Sequence, residues 1–162
     1  MATDESTGDR HGVFIVETVV DKQAAFAIRQ EVFVDEQGVP AADEYDRYDE
    51  RAGTTHLLAV DEGQPVGTMR LREINREADR GGKIERVAVR QAARERGWGV
   101  ALMDRAESLA TDRDYDFLLL HSQVHAEAFY AKLGYETESD VFVEDGIDHV
   151  RMRKRLDGLS SR

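Results

Sequence analysis

Short apolar runs alternate with amphipathic stretches along this 162-residue chain, a pattern typical of a mixed α/β fold. Runs rich in β-branched and aliphatic residues predict strands. They cover residues 13–17, 54–60, 65–71, 83–89, 116–121, 135–143 and 147–155. Apolar residues at helical spacing predict helices over 22–35, about 97–111 and 126–133. The order of these elements predicts one mixed sheet with helices on both faces.

Turn-forming residues separate these elements and set their predicted ends. Asp21 is the expected N-cap of the first helix, because an Asp side chain can accept hydrogen bonds from the unpaired N–H groups of a first turn. The triplets Asp61-Glu62-Gly63 and Glu144-Asp145-Gly146 predict two hairpins. The polar stretches 41–53 and 75–82 predict loops.

The segment 85–103 carries the strongest chemical signal in the chain. Val87, Ala88 and Val89 end a predicted buried strand, and the sequence Arg94-Glu95-Arg96-Gly97-Trp98-Gly99 leads into an amphipathic helix. The start of a helix presents unpaired N–H groups and the positive end of the helix dipole, so it attracts anions. Because Gly97 and Gly99 lack a Cβ, a phosphate group could lie close to this backbone.

Two common nucleotide-binding loops do not fit this segment. A Walker loop needs Lys and then Ser or Thr after its second glycine, and neither follows Gly99. A dinucleotide-binding loop needs a third glycine at the position that Leu102 occupies. From these six residues alone, an ordinary strand–helix turn with glycines for packing is an equal alternative to a phosphate site.

The pattern Arg94-x-x-Gly97-x-Gly99 after a valine-rich strand resembles the acetyl-CoA pyrophosphate loop of the GNAT N-acetyltransferase superfamily. The segment 121–135, HSQVHAEAFYAKLGY, is similar to the C-terminal motif of that superfamily. Further matches resemble its ElaA/YjcF-like branch. They are 32–34, 36–40, Glu44, Asp46, Asp49, His56, 144–147 and His149. The resemblance extends from Val13 to Arg155 and implies the α/β GNAT acyl-CoA N-acyltransferase fold.

The resemblance implies a single GNAT domain at residues 13–156. The polar segment 1–12 is expected to be a disordered tail, and residues 157–162 a short C-terminal tail. No apolar run approaches the roughly 18 residues of a membrane span, and the N-terminus lacks the layout of a signal peptide. We therefore expect a cytoplasmic protein that does not bind membranes.

Charge and residue content disfavour several classes of chemistry. The chain has no cysteine, and its five histidines lack metal-ligand spacing, so neither a metal site nor a cysteine nucleophile is expected. The net charge of −11 disfavours nucleic-acid binding, because it repels phosphate. Lysine supplies only four of the 22 basic residues, and there are 33 acidic ones. This composition indicates salt adaptation and a halophilic source.

The resemblance implies that acetyl-CoA is the co-substrate and indicates where it binds. Main-chain groups at the strand end would hold the pantetheine arm, and the N–H groups of the loop would hold the pyrophosphate. Arg94 and Arg96 would add positive charge, whereas their structural alternative is a surface salt bridge to Glu95 or Asp104. The implied contacts are Val87, Ala88, Val89, Arg94, Glu95, Arg96, Gly97, Trp98, Gly99, Val100 and Gln123.

Acetyl transfer to an amine requires deprotonation of the amine, stabilisation of an oxyanion and protonation of the leaving thiolate. The resemblance implies Tyr130 as the general acid, with an ordinary core aromatic as the alternative. Glu85 is the implied candidate for the general base, acting through water. His121 and His125 are rival bases, because an unperturbed imidazole titrates near roughly pH 6.5.

The resemblance therefore implies an N-acetyltransferase that transfers an acetyl group directly from acetyl-CoA to an amine. The alternative is a non-catalytic acyl-CoA-binding regulatory module, and Tyr130 argues against it because a pure binder needs no thiolate acid. Glu36, Gln37 and His56 are expected either to shape the acceptor pocket or to hydrogen-bond a helix end. The acceptor, a small-molecule or peptide amine, cannot be identified from the sequence, and a homodimer stays open.

Overall fold

The computed structural model describes residues 10–156, and the expectations for residues 1–9 and 157–162 lie outside that range. The strands are β1 (Gly12–Ile15), β2 (Thr54–Asp61), β3 (Gln64–Arg76), β4 (Asp79–Val89), β5 (Phe117–Gln123), β6 (Glu136–Thr137), β7 (Phe142–Glu144) and β8 (Ile147–Arg155). The helices are α1 (Val19–Arg29), α2 (Ala41–Glu44), α3 (Trp98–Asp112) and α4 (Glu127–Lys132). No helix within residues 10–156 is both long and apolar enough to cross a membrane.

Hydrogen bonds order the eight strands as β1-β2-β3-β4-β5-β8-β6, with β7 also paired to β8. The sheet is mixed: β4 pairs in parallel with β5, whereas β1 with β2, and β8 with each of β5, β6 and β7, are antiparallel. The turns Glu62-Gly63 and Asp145-Gly146 have positive φ at both residues, as tight hairpins require. Both predicted hairpins are therefore present.

The described chain divides into two compact units. The first contains residues 10–71 and 86–106. Its core forms where the apolar face of α1 and the turn after it pack on β2. The buried members are Ala25, Ile28, Val32, Leu58, Val60 and Ala88. Phe14 and Phe33 are partly buried against this cluster. Burial of this apolar face, rather than helix propensity, is the main source of stability for α1.

The second unit contains residues 72–85 and 107–156. Within it, Gly81–Ile84 of β4 lie beside Phe117–Leu120 of β5 in parallel register. A Cβ at Gly81 would lie 2.5 Å from a ring carbon of Phe117, so only glycine fits beneath that ring. The antiparallel pairing of β5 with β8 places Gln123 opposite His149.

The first helix begins earlier than predicted and changes its geometry before it ends. Thr18, not Asp21, is the N-cap, and its Oγ1 accepts a hydrogen bond from the Asp21 N–H at 3.1 Å. Asp21 instead binds the guanidinium of Arg10 at 2.9 Å. The segment Gln30–Glu36, which was predicted to be α-helical, is a π-helical turn.

Two predicted boundaries, one of a loop and one of a strand, are wrong. The predicted loop 75–82 is a hairpin, because β3 continues to Arg76 and β4 starts at Asp79. The predicted strand 135–143 is divided into β6 and β7. Between them, the Ser139 hydroxyl accepts a hydrogen bond from the Arg151 N–H in the β8 backbone. Backbone ladders tolerate polar side chains, so hydropathy alone does not mark where these strands end.

Candidate active site

The predicted phosphate loop connects β4 to α3 and leaves space beside its glycine. Gly97 has φ +87°, and a Cβ built there would meet no atom within 4 Å. The Ala101 N–H donates to the Gly97 carbonyl at 3.0 Å, which starts the helical hydrogen bonding. The N–H groups of the three preceding residues, 98–100, therefore have no acceptor four residues earlier within α3. This arrangement provides main-chain donors beside an open glycine.

Arg94 in this loop already binds an anion of the chain itself. Its Nε donates to the Val89 carbonyl at 2.8 Å, and a terminal nitrogen donates to Oε1 of Glu36 at 2.8 Å. The Glu36 carboxylate thus occupies the place at this guanidinium that a phosphate oxygen could take. Glu95 and Arg96 are exposed on the same loop. The residues present fit an anionic group, but an incoming phosphate must compete with Glu36 for Arg94.

The regular strand backbone of β4 is interrupted near its C-terminal end. Arg86 has φ +58°, a value that regular strands do not adopt. Beyond it, Ala88 is buried in the core of the first unit, whereas Val87 and Val89 are half-buried. The Val89 carbonyl, an expected pantetheine contact, already accepts the hydrogen bond from Arg94.

The acidic residues that resemble the ElaA/YjcF-like branch form a buried cluster with arginines, which we call the arginine–carboxylate cluster. Its members are Arg29, Glu44, Asp46, Asp49, Arg70 and Arg86. Arg29 binds Glu44 at 2.9 Å and Asp49 at 2.7 Å, and the side chains of all three are at most 3% exposed. Arg70 contacts Asp46 at 2.7 Å and Asp49 at 2.9 Å. The cluster is structural, because buried charges persist only when they are paired.

The pKa values of two carboxylates that share Arg29 are shifted in opposite directions. Burial pushes the pKa of Asp49 upward, but the hydrogen bond and charge of Arg29, with help from Arg70, hold it well below its ordinary value. Burial dominates at Glu44, so its pKa is raised despite Arg29 and Arg86. Asp49 is therefore the carboxylate whose ionised form is stabilised most strongly by the fold.

His56 lines a cleft of about 340 Å³ in the first unit, together with Thr18, Lys22 and Glu50. Burial lowers the pKa of His56, and its Nε2 lies 3.1 Å from the Asp49 carbonyl. Since a carbonyl oxygen only accepts, Nε2 is the protonated nitrogen of this neutral ring. Glu36 and Gln37, which were expected with His56 either to shape the acceptor pocket or to hydrogen-bond a helix end, do not line this cleft.

The candidate base Glu85 is held by two cations of the second unit. Arg72 donates to both carboxylate oxygens, at 2.8 and 3.2 Å, and Nζ of Lys83 lies 3.2 Å from Oε2. The Glu85 side chain is 13% exposed. Both oxygens of this carboxylate are therefore already engaged by cationic side chains.

Tyr130 is buried on α4, and its ring lies edge to face with Tyr135 at a centroid distance of 6.2 Å. Burial raises the pKa of the Tyr130 phenol to about 12. Burial also raises the pKa of Tyr135, whose hydroxyl is buried with no hydrogen-bond partner. The general-acid role of Tyr130 stays a prediction, and its phenol is protonated at neutral pH.

The two rival histidine bases lie in different environments. Nδ1 of His121 is 2.9 Å from Oε1 of Glu144, and the His121 ring lies edge to face with Phe142 at 5.1 Å. His125 is exposed in the 3₁₀ turn Val124–Ala126. The other predicted residue of this region, Gln123, is half-buried at the end of β5. Of the two histidines, the structure gives a carboxylate partner to His121.

Several partners were missed by sequence reasoning. They are Arg29, Arg70 and Arg86 for the branch-like acids, Arg72 for Glu85, and Glu144 for His121. No local spacing marks these pairs, since the members are brought together by strand register and helix packing. Among residues 10–156, one group could hold a metal ion, His11 with Asp61 and Glu62, whose ligand atoms lie within 4.8 Å of one another. It does not overlap the predicted site, and the expectation of no metal stays a prediction.

Comparisons with known proteins show what this chain is similar to. The family model described as Acetyltransferase (GNAT) domain matches residues 15–156. The "Uncharacterized N-acetyltransferase YjcF" of Bacillus subtilis (strain 168) is 37% identical over 131 residues, which cover 80% of this chain and 89% of that protein. An acyl-CoA N-acyltransferase from Pseudomonas aeruginosa is 33% identical with a TM-score of 0.77, covering 88% of this chain and 98% of that one. Escherichia coli ElaA is 26% identical with a TM-score of 0.79, covering 90% and 100%.

The chain belongs to the GNAT acetyltransferase family, because the family model spans nearly all of the described residues. This membership places the protein in the class of acyl-CoA N-acyltransferases. The predicted mixed α/β GNAT fold is confirmed, and relatives similar to YjcF and ElaA are present as the resemblance implied. The halophilic source and the site residues stay predictions.

Proposed function

We propose that this protein transfers an acetyl group from acetyl-CoA directly to an amine in a ternary complex. The observation that carries the proposal is the loop Arg94–Gly99 at the start of α3, in a chain that belongs to the GNAT family. This loop combines main-chain donors, an open glycine and an arginine that already holds a carboxylate. A diphosphate needs these features from a binding site.

The predicted residues would have separate roles in the reaction. The N–H groups of residues 98–100 would bind the diphosphate, and Arg94 would exchange Glu36 for a phosphate oxygen. Main-chain groups of Val87 and Val89 would hold the pantetheine arm. Acetyl-CoA supplies the activated acetyl thioester when it is bound. Tyr130 would donate a hydrogen bond to the departing sulfur, and Gln123 would orient the pantetheine.

Binding of acetyl-CoA is the first test, and it uses thermal unfolding with and without the co-substrate. At a hundredfold excess over Kd, we expect a stabilisation of about 2.7 kcal/mol. Gly99→Val should remove the shift, because its side chain would occupy the space beside the donors. Ser108→Val is the matched control, since it places the same side chain at an exposed position of the same helix. Glu36→Gln should tighten binding, because Arg94 would lose its competing carboxylate.

Turnover is the second part of the same test, and it follows release of the CoA thiol. The acceptor panel is spermidine, kanamycin and a lysine-containing peptide with a free N-terminus. Release that depends on one of these amines supports the proposal. A shift that survives Gly99→Val unchanged would refute the phosphate assignment. Tight binding of acetyl-CoA without turnover on the panel or by hydrolysis would favour the alternative, a non-catalytic acyl-CoA-binding module.

A further inference from the structure

The hydrogen bond between His121 and Glu144 determines which imidazole nitrogen carries the proton. This bond holds the pKa of Glu144 below its ordinary value, against the opposing effect of burial. The carboxylate is therefore ionised at neutral pH and can only accept a hydrogen bond. Nδ1 of His121 must be the donor in the 2.9 Å contact, so the neutral ring keeps its lone pair on Nε2.

The His121 ring is held in one orientation but still reaches solvent. Phe142 and Glu144 are two residues apart on β7, so both side chains project from the same side of that strand. The Phe142 ring lies edge to face with the His121 ring, and the Glu144 carboxylate binds Nδ1 of His121. His149 stacks on Phe142 at 6.0 Å and an interplanar angle of 24°, which supports that ring from β8. The His121 side chain retains 23% exposure, so the imidazole is not sealed in a core.

Charged groups face the His121–Glu144 pair from the neighbouring strands. They are Lys83 on β4 and His149 and Arg151 on β8. Glu85 binds Lys83 at 3.2 Å, and Glu138 binds Arg151 at 2.9 Å, so the lysine and the arginine each have their own carboxylate. The carboxylate in direct contact with His121 is therefore that of Glu144, at 2.9 Å.

We propose that His121 is the general base of the transfer and that Glu144 is its positioning residue. The assignment rests on the proposed function, which it deepens by naming the group that takes the proton from the amine. It favours His121 over Glu85, because Arg72 and Lys83 both bind the Glu85 carboxylate. It also favours His121 over His125, which is exposed and has no carboxylate contact among the described hydrogen bonds.

The proton balance of this step is simple. The protonated acceptor amine gives one proton to Nε2 of His121, and the imidazolium is stabilised by Glu144 before it returns the proton to solvent. The freed amine lone pair then forms a C–N bond to the acetyl carbon. The C–S bond breaks, and its electron pair leaves on sulfur. The second amine proton ends on that sulfur, so one proton is released overall.

Steady-state kinetics of His121→Asn test the base directly, with the panel amine that gives the highest kcat/KM. Asparagine can still donate to Glu144 from the position of Nδ1 but offers no basic nitrogen in place of Nε2. We expect kcat/KM to fall by about 10²-fold or more, with loss of the acidic limb of its pH profile. The acetyl-CoA thermal shift should stay unchanged. A retained kcat/KM and a retained acidic limb would overturn the proposal.

Glu144→Gln tests the positioning residue, with Asp148→Asn as the matched control on the same hairpin. Both changes remove one negative charge, but Asp148 is exposed and lies opposite Val143 in the β7–β8 ladder. We expect a loss of about tenfold in kcat/KM for Glu144→Gln and no change for Asp148→Asn. Equal effects of the two variants would refute a specific role for Glu144.

Nitrogen NMR of ¹⁵N-histidine-labelled protein gives a readout that does not depend on activity. At pH 8 and without co-substrate, His121 should show a protonated Nδ1 and an unprotonated Nε2. A protonated Nε2 would overturn the assignment whatever the kinetics show. If the wild type binds acetyl-CoA but turns over no amine, the proposed function fails and the base role fails with it. Normal wild-type turnover with an unaffected His121→Asn variant overturns the base alone.

Discussion

Tyr130 shows how burial limits what a single side chain can do in acid catalysis. Its phenol has a pKa raised to about 12, whereas a free thiol titrates near roughly pH 8.5. Complete proton transfer from this phenol to a thiolate would therefore be uphill by on the order of 5 kcal/mol. A hydrogen bond to the developing negative charge on sulfur carries no such cost. We therefore propose that Tyr130 acts by donating that hydrogen bond as the C–S bond breaks.

Tyr130→Phe should lower kcat by about 10²-fold, because the ring and its contact with Tyr135 survive while the donor is lost. The affinity for acetyl-CoA should change little. Since burial keeps the phenol protonated up to about pH 12, Tyr130 should produce no alkaline fall in kcat below about pH 10. Steady-state kinetics from pH 6 to about pH 10 measure both effects. An unchanged kcat, under conditions where chemistry limits turnover, would show that Tyr130 is only a core aromatic.

At the scale of elements, the arginine–carboxylate cluster ties α1 to the chain that follows it. Arg29 ends α1 and reaches Glu44 in α2 and Asp49 in the 3₁₀ turn Arg47–Glu50. Because the pKa of Asp49 is held below its ordinary value, its contribution to stability is present above about pH 4. That contribution is lost as the pH falls further, because the folded state must then accept a proton that it binds weakly.

Arg29→Met should reduce the free energy of unfolding by about 3–5 kcal/mol, because Glu44 and Asp49 would remain buried without this partner. Lys22→Met is the matched control on the same helix. Lys22 binds Glu50 at 2.6 Å, but that carboxylate side chain is 69% exposed, so we expect a loss below about 1 kcal/mol. Urea unfolding at pH 7 measures both variants. Similar losses for the two would contradict the structural role of the cluster.

At the scale of the whole molecule, acidic residues dominate a chain with a net charge of −11. Like charges on one surface repel each other and oppose the compact state. Salt shortens the reach of this repulsion to about 3 Å at 1 M ionic strength. Buried pairs such as Arg29 with Asp49 are screened much less, because solvent ions cannot approach them. We propose that the surface composition is an adaptation to salt.

Raising KCl from 0.1 to 2 M should therefore increase the Tm by at least about 4 °C, which corresponds to roughly 1 kcal/mol for a chain of this size. The control is a triple variant in which exposed acids become amides: Asp43→Asn, Asp104→Asn and Asp112→Asn. It should show a smaller rise, because less repulsion is left to screen. A Tm that is independent of salt, or the same rise in the control variant, would contradict salt adaptation of the surface.

The sequence by itself determined the features that depend on neighbours along the chain. The apolar run of β5 could be predicted because a short apolar run bounded by polar turns is typical of a buried strand. The turns Glu62-Gly63 and Asp145-Gly146 could be predicted because tight hairpins select residues that tolerate positive φ. The start of α3 after Gly97 followed from the same kind of local signal. The predicted family also followed, because its motifs lie in short contiguous segments.

Only the tertiary structure decided which charged groups meet. Arg29 is 15 residues from Glu44 and 20 from Asp49, and His121 is 23 residues from Glu144. No periodicity relates such positions, since strand register and helix packing bring them together. The same holds for the pairing of Arg94 with Glu36. This pairing makes the Glu36 carboxylate the group that competes with a phosphate for Arg94. Charged side chains pair when they are close in space. The spacing of residues along the chain does not show which of them the fold brings close.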